Sequence, residues 1–164
     1  MSPDGQRTAP GEVRRGVRLG VDVGSRRVGV ARSDAAGILA VPVATLQRGR
    51  GDLAALAALA AEHEALEVIV GLPLGLDGRE GAAAAAARDY AQQLAAALAP
   101  VVVRTVDERL TTVSAQRGLH EAGRSVKSSR SVIDQAAAVV IVQHALDAER
   151  ASGEPAGAVV EVPA

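Results

Sequence analysis

One stretch constrains this chain more than any other: an apolar run carrying a single acid, folded back on itself across a glycine turn. From Gly16 to Asp34 it reads Gly-Val-Arg-Leu-Gly-Val-Asp-Val-Gly-Ser-Arg-Arg-Val-Gly-Val-Ala-Arg-Ser-Asp. Val17–Val23 reads as a strand, Gly24-Ser25-Arg26-Arg27 as a bend and Val28–Ala31 as the returning strand of a β-hairpin. Asp22 then lies near the bend and two arginines lie on it. A carboxylate inside a buried strand is costly unless something compensates it. Asp before Gly also bonds turn amides, so the residues leave a structural and a functional reading of Asp22 open.

The rest of the chain alternates. Val41–Leu46 reads as a third strand, which makes an antiparallel meander. Asp52 is placed to cap a helix over Leu53–Glu64, and Leu66–Leu72 is an apolar strand suited to the centre of a sheet. The Ala-rich stretch Glu80–Leu98 predicts a helix with Ala83, Ala87, Tyr90, Leu94 and Leu98 on its buried side. Val101–Val106 is the next strand. Thr111 or Thr112 opens a helix to Glu121, Arg124–Arg130 reads as a mobile basic loop, and Val132–Arg150 is the last helix. This order predicts an α/β fold of ribonuclease-H-like arrangement. It has a five-stranded mixed sheet, the first three strands an antiparallel meander, with helices on both faces. Residues 1–16 and 151–164 read as flexible tails around one domain, 17–150.

Composition narrows the chemistry. Tyr90 is the one aromatic residue among Phe, Trp and Tyr, so stacking platforms are largely unavailable, and the absence of Cys excludes disulfides and thiolate chemistry. No apolar run is long enough to span a membrane, and the N-terminal stretch lacks the apolar core of a secretory signal, so a cytoplasmic protein is expected. Net charge is −1, yet basic residues gather at Arg14, Arg15, Arg18, Arg26, Arg27 and Arg32, and again at Arg117, Arg124, Lys127 and Arg130. Phosphate binding and a GC-rich coding sequence account for this arginine bias equally well.

Three acids occupy unusual places: Asp22 in the first strand, Glu108 just past the last, and Asp134 near the start of an apolar helix. Each has a bland reading. Asp22 can serve a turn, Glu108 can pair with Arg109 at the surface, and Ser131-Val132-Ile133-Asp134 fits a helix capping box. In the predicted topology, however, all three can meet at one end of the sheet. Carboxylates so gathered repel and raise one another's pKa, and hard oxygen donors then suit Mg²⁺ or Mn²⁺. Such ions support two-metal-type hydrolysis of a phosphodiester. Gly24 and Gly29 allow close backbone approach to phosphate, as do Gly71, Gly75 and Gly78. Arg27, Arg109, Lys127 and Arg130 are candidate phosphate contacts. His63, His120 and His144 are dispersed and read as structural.

Four segments resemble, in order, the motifs of the YqgF/RuvX family, relatives of the RuvC-type resolvases. They are Asp22-Val-Gly-Ser-Arg-Arg-Val-Gly-Val-Ala31, Val70-Gly-Leu-Pro73 with Asp77-Gly78, Asp107-Glu-Arg-Leu-Thr-Thr112, and Ile133-Asp-Gln-Ala-Ala137. The resemblance covers residues 17–150. It implies a ribonuclease-H-like endonuclease whose catalytic acids fall on Asp22, Glu108 and Asp134. The implied role is 5′-end maturation of precursor 16S ribosomal RNA or, alternatively, Holliday-junction resolution in DNA. Gly75 departs from the pattern, where the family usually has Asn.

The expected partner is structured nucleic acid, a precursor rRNA or a four-way DNA junction, bound by a monomer or weak homodimer. Two rivals stay in view. A non-catalytic RNA-binding assembly factor would keep the fold without using the acids. A sugar-kinase-like ATP-binding domain also opens with Asp-x-Gly, but it needs a longer, two-lobed chain.

Overall fold

A computed structural model describes residues 11–73, 79–108 and 126–162, with side chains in the last helix described from Ile133 onward. The elements run β1 (Arg18–Val23), β2 (Arg27–Ser33), β3 (Ala40–Gln47), α1 (Asp52–Glu62), β4 (Glu67–Leu72), α2 (Ala82–Leu98), β5 (Val102–Asp107), α3 (Val126–Ser152) and β6 (Ala158–Val159). The predicted helix over residues 111–121 lies outside the described residues.

The strands form one mixed sheet in the order β3-β2-β1-β4-β5-β6. The first three are the expected antiparallel meander, and β4 and β5 continue the sheet parallel to β1. Six strands replace the expected five. The extra one comes from the C-terminal segment expected to be a tail: Arg104 and Thr105 pair with Val159 and Ala158. A two-residue strand leaves almost no periodic signal, because pairing rather than burial of a hydrophobic face defines it.

Strand alternation divides the core. Leu19, Val21, Val28, Val30, Val68, Val70 and Val103 point to one side and pack with Leu56 and Ala60 of α1 and with Tyr90, Leu94 and Leu98 of α2. On the other side Ala31, Ile69 and Val106 meet Ala138, Ile141, Val142 and Leu146 of α3. Helices therefore cover both faces, as expected.

Three helix details differ from expectation. Gly51, in a left-handed conformation, is the N-cap of α1, so Asp52 is its first helical residue, and the Asp52 carboxylate accepts a bond from Tyr90 Oη at 2.8 Å. The buried stripe of α2 runs through Ala84 rather than Ala83. Helix α3 begins at Val126, inside the stretch expected to be a mobile loop.

That last difference settles one reading of Asp134. With α3 starting six residues earlier than expected, Ser131 and Asp134 lie within the helix, and a capping box there is excluded. Asp134 is instead a side chain carried by a helix packed hard against the sheet. Gly20, on β1, faces α3, and a Cβ there would stand 2.8 Å from the Ala138 carbonyl. The missing side chain at Gly20 lets the helix backbone descend onto the sheet there.

Candidate active site

The face of the sheet beneath α3 has a charged layer at each end. Alternation puts Arg18, Gly20 and Asp22 of β1 on that face, along with Glu67, Ile69 and Gly71 of β4. Asp22 and Glu108 lie toward the C-terminal ends of their strands. Arg18 and Glu67 lie at the N-terminal ends and pair in register.

The N-terminal layer is closed on itself. Arg14 contacts Glu149 at 2.8 Å and Glu67 at 2.9 Å, Arg18 contacts Glu149 at 3.1 Å, and Arg104 contacts Glu67 at 2.9 Å. Arg18, Glu67 and Glu149 are buried. Burial alone would raise Glu149, but hydrogen bonds from the Arg14 side chain and backbone, with the charges of Arg18 and Arg14, hold it below the usual range. Arg14 and Arg18, two members of the first basic cluster, are thus committed to clamping the end of α3 to the sheet.

The C-terminal layer is built the opposite way. Asp22 pairs in register with Gly29 of β2, and a Cβ on Gly29 would overlap the backbone of Asp134. Asp134 therefore arrives directly above the strand pair that carries Asp22. Among the described residues no hydrogen bond reaches the Asp22 carboxylate. Burial, and then the charge of Asp134, push it up to about 7. The turn-bonding reading of Asp22 is excluded, since the bend is closed by Gly24 N–H donating to the Arg27 carbonyl at 2.8 Å.

Glu108 is buried, at 4% exposure, rather than at the surface. Its carboxylate occupies the space a Gly71 side chain would fill, with Cδ 2.8 Å from the position of a Cβ there. Gly29 and Gly71, read from sequence as phosphate-approach glycines, instead make room for a helix backbone and for a carboxylate.

Arg27 lies beside the acids: its Nε donates to Asp134 Oδ2 at 2.8 Å. Both are partly open, at 34% and 16% exposure. They share an open cleft of about 440 Å³ with Gly24, Ser25 and Arg26. The sequence reading missed Arg48, which follows β3. Its Nη1 donates to the Gly24 carbonyl at 3.0 Å, and its guanidinium lies 5.4 Å from the Tyr90 ring centroid. No local signal marks such a residue, because its partners come from the hairpin bend and from α2. Arg109 lies outside the described residues, as do Gly75, Gly78 and the side chains of Lys127 and Arg130. His144 is exposed on α3 and His63 ends α1.

Among the described residues, no three carboxylate or histidine side chains are gathered tightly enough to hold an ion as they stand. The donors nevertheless fit a hard divalent cation. They are all oxygens, Asp22 is half-buried beside a second acid with no hydrogen bond among the described residues, and Gly71 leaves a seat for the third.

Comparison with known proteins gives the family of the chain. Residues 16–148 match the family described as "RuvX: Holliday junction resolvase". The chain belongs to the RuvX family. A RuvX-family relative from Nocardioides sp. (strain ATCC BAA-499 / JS614), named "Putative pre-16S rRNA nuclease", is 56% identical over 91% of this chain and 99% of its own. One of the same name from Streptomyces coelicolor is 54% identical over 98% of both chains. The RuvX fold also aligns with a solved structure of Thermus thermophilus RuvC in complex with Holliday junction substrate. The TM-score is 0.53 at 16% identity, covering 85% of this chain and 99% of that one. In this RuvX chain the matched region spans every element from β1 to most of α3, and so all three acids.

Proposed function

We propose that this RuvX-family protein is a metal-dependent endonuclease that matures the 5′ end of precursor 16S rRNA, with Asp22, Glu108 and Asp134 holding Mg²⁺ or Mn²⁺. The observation that carries the reading is an acid with no partner among the described residues, at the C-terminal end of the α3 face: Asp22 is half-buried beside Asp134 and pushed up to about 7. The other end of the same face neutralises its acids with Arg14, Arg18 and Arg104. A protein that needed Asp22 only for structure would have given it a partner. Relatives matched over nearly their whole length are named as pre-16S rRNA nucleases, which supports the nuclease part of the reading.

A divalent ion at this site supplies Lewis acidity to a water nucleophile and to the leaving oxygen. The chain's own residues do the positioning. Gly29 and Gly20 seat α3 so that Asp134 stands over Asp22, and Gly71 seats Glu108. The cleft beside them is lined by Gly24, Arg26 and Arg27, which suits a phosphate backbone. Arg109, Lys127 and Arg130 extend the proposed contacts along the nucleic acid. With such a substrate the protein would act in the cytoplasm, and a single-strand cut requires only a monomer.

Incubating a precursor 16S fragment with wild type and Asp22→Asn, with Mg²⁺ or Mn²⁺ and with EDTA, tests the reading. Cleavage should need the ion and the acid. Equal cleavage by the two proteins would sink it. The family's description favours a second reading, resolution of a four-way DNA junction. Paired symmetric cuts and a dimer in sedimentation would select it.

A further inference from the structure

Arg27 lies on the cleft wall, yet its Nε is bonded to an oxygen of Asp134, one of the acids assigned above to the ion. From this geometry we infer that Arg27 is a built-in counter-ion, held by Asp134 in the metal-free protein and handed to a substrate phosphate when the divalent ion binds. The inference rests on the metal-site reading above.

Asp22 and Asp134 repel each other, and Arg27 offsets one of the two charges. Asp134 Oδ2 accepts the guanidinium, so an arriving cation must compete for the oxygen that Arg27 holds. A divalent cation beside that guanidinium would also repel it. Arg27 can leave without unfolding the hairpin, because the bend is closed by the Gly24–Arg27 backbone bond and braced by Arg48 on the Gly24 carbonyl. Its side chain is one-third exposed and already lines the 440 Å³ cleft. A phosphate there would take the Nε–H that Asp134 gives up, together with the rest of the planar guanidinium. Ion and nucleic acid then bind with positive coupling, and by linkage each strengthens the other.

Calorimetric titration of Mn²⁺ into the full chain tests this without any turnover, using wild type, Arg27→Gln and Arg27→Lys. Each is titrated alone and with a cleavage-resistant phosphorothioate RNA oligonucleotide. Without RNA, Arg27→Gln should bind Mn²⁺ roughly two- to fivefold more tightly than wild type, the equivalent of one partly exposed ion pair. Arg27→Lys, which keeps a charge, should stay near wild type. RNA should tighten Mn²⁺ binding to wild type and do so much less in Arg27→Gln. Unchanged or weaker Mn²⁺ binding by Arg27→Gln, with the native far-ultraviolet circular dichroism retained, would overturn the handover and leave Arg27 a plain phosphate contact or a brace for Asp134. Absence of Mn²⁺ binding by wild type would instead overturn the metal-site reading itself.

Discussion

Gly29 lies directly beneath the backbone of Asp134, so close that a Cβ on the glycine would overlap the Asp134 carbonyl. Strand β2 and helix α3 meet there with nothing between them. Gly29 is also the register partner of Asp22. One residue without a side chain thus sets how far apart the two acids stand.

Gly29→Ala should therefore damage the site and the fold together. The added methyl meets backbone, which cannot rotate away, so α3 must lift. A loss of about 1–3 kcal/mol is expected, as for other overpacked interiors. Thermal melting and Mn²⁺ titration check it: the melting temperature should fall, and ion affinity should fall with it.

Asp22→Asn should stabilise the metal-free protein at neutral pH. The Asp22 carboxyl is raised from 3.8 to about 7, so the folded state holds a proton that the unfolded state releases. Wild-type stability then declines as pH rises from about 4 to 7 and levels off above. The Asn variant lacks that decline. The two should melt alike near pH 3.5, and the variant should gain roughly 4 kcal/mol by pH 8. Melting curves across this range decide it, and a variant less stable than wild type at pH 8 would show that Asp22 has a structural role.

Glu149→Gln tests the opposite end of the same face. Glu149 receives the Arg14 side chain and backbone and the Arg18 guanidinium. Removing its charge leaves Arg18 without a carboxylate partner among the described residues and Arg14 with Glu67 alone, and a loss of about 3 kcal/mol is expected at neutral pH. Its carboxyl is held below 4.5, so its stabilising contribution is complete above that value and is lost as pH falls through the lower folded value. Denaturant unfolding at neutral pH and near pH 3 should show the gap between variant and wild type narrowing in acid.

Tyr90→Phe should be mild. Tyr90 Oη donates to Asp52, whose carboxyl is also supported by backbone amides at the start of α1. Loss of one such bond predicts about 1 kcal/mol, read as a small drop in melting temperature. The ring beneath Arg48 remains, so the bend at Gly24 and substrate affinity should be unchanged in a binding assay.

The strands and helices were legible because their signals are local. Alternating Val and Leu in β1, β2 and β4 bury one side of each strand, and the apolar stripe of α2 does the same at helical spacing. The singularity of Asp22, Glu108 and Asp134 was also legible, since an acid in an apolar stretch is conspicuous whatever surrounds it. Element ends were less so. The start of α3 at Val126 runs through a polar basic stretch with no hydrophobic period, and β6 exists only because β5 has an edge to offer.

Sequence alone determined the order of the elements from β1 to β5 and singled out the three acids, because burial patterns and charge types are written residue by residue. It could not say which charges are satisfied. Arg18 and Arg27 look alike in the chain, nine residues apart in one basic cluster. Folding sends Arg18 to Glu149 at the closed end of the sheet and Arg27 to Asp134 at the open end, partners more than 100 residues away. Electrostatic compensation depends on distances of a few ångströms between distant segments. Those distances were set by Gly20, Gly29 and Gly71, whose missing side chains let α3 and Glu108 settle on the sheet.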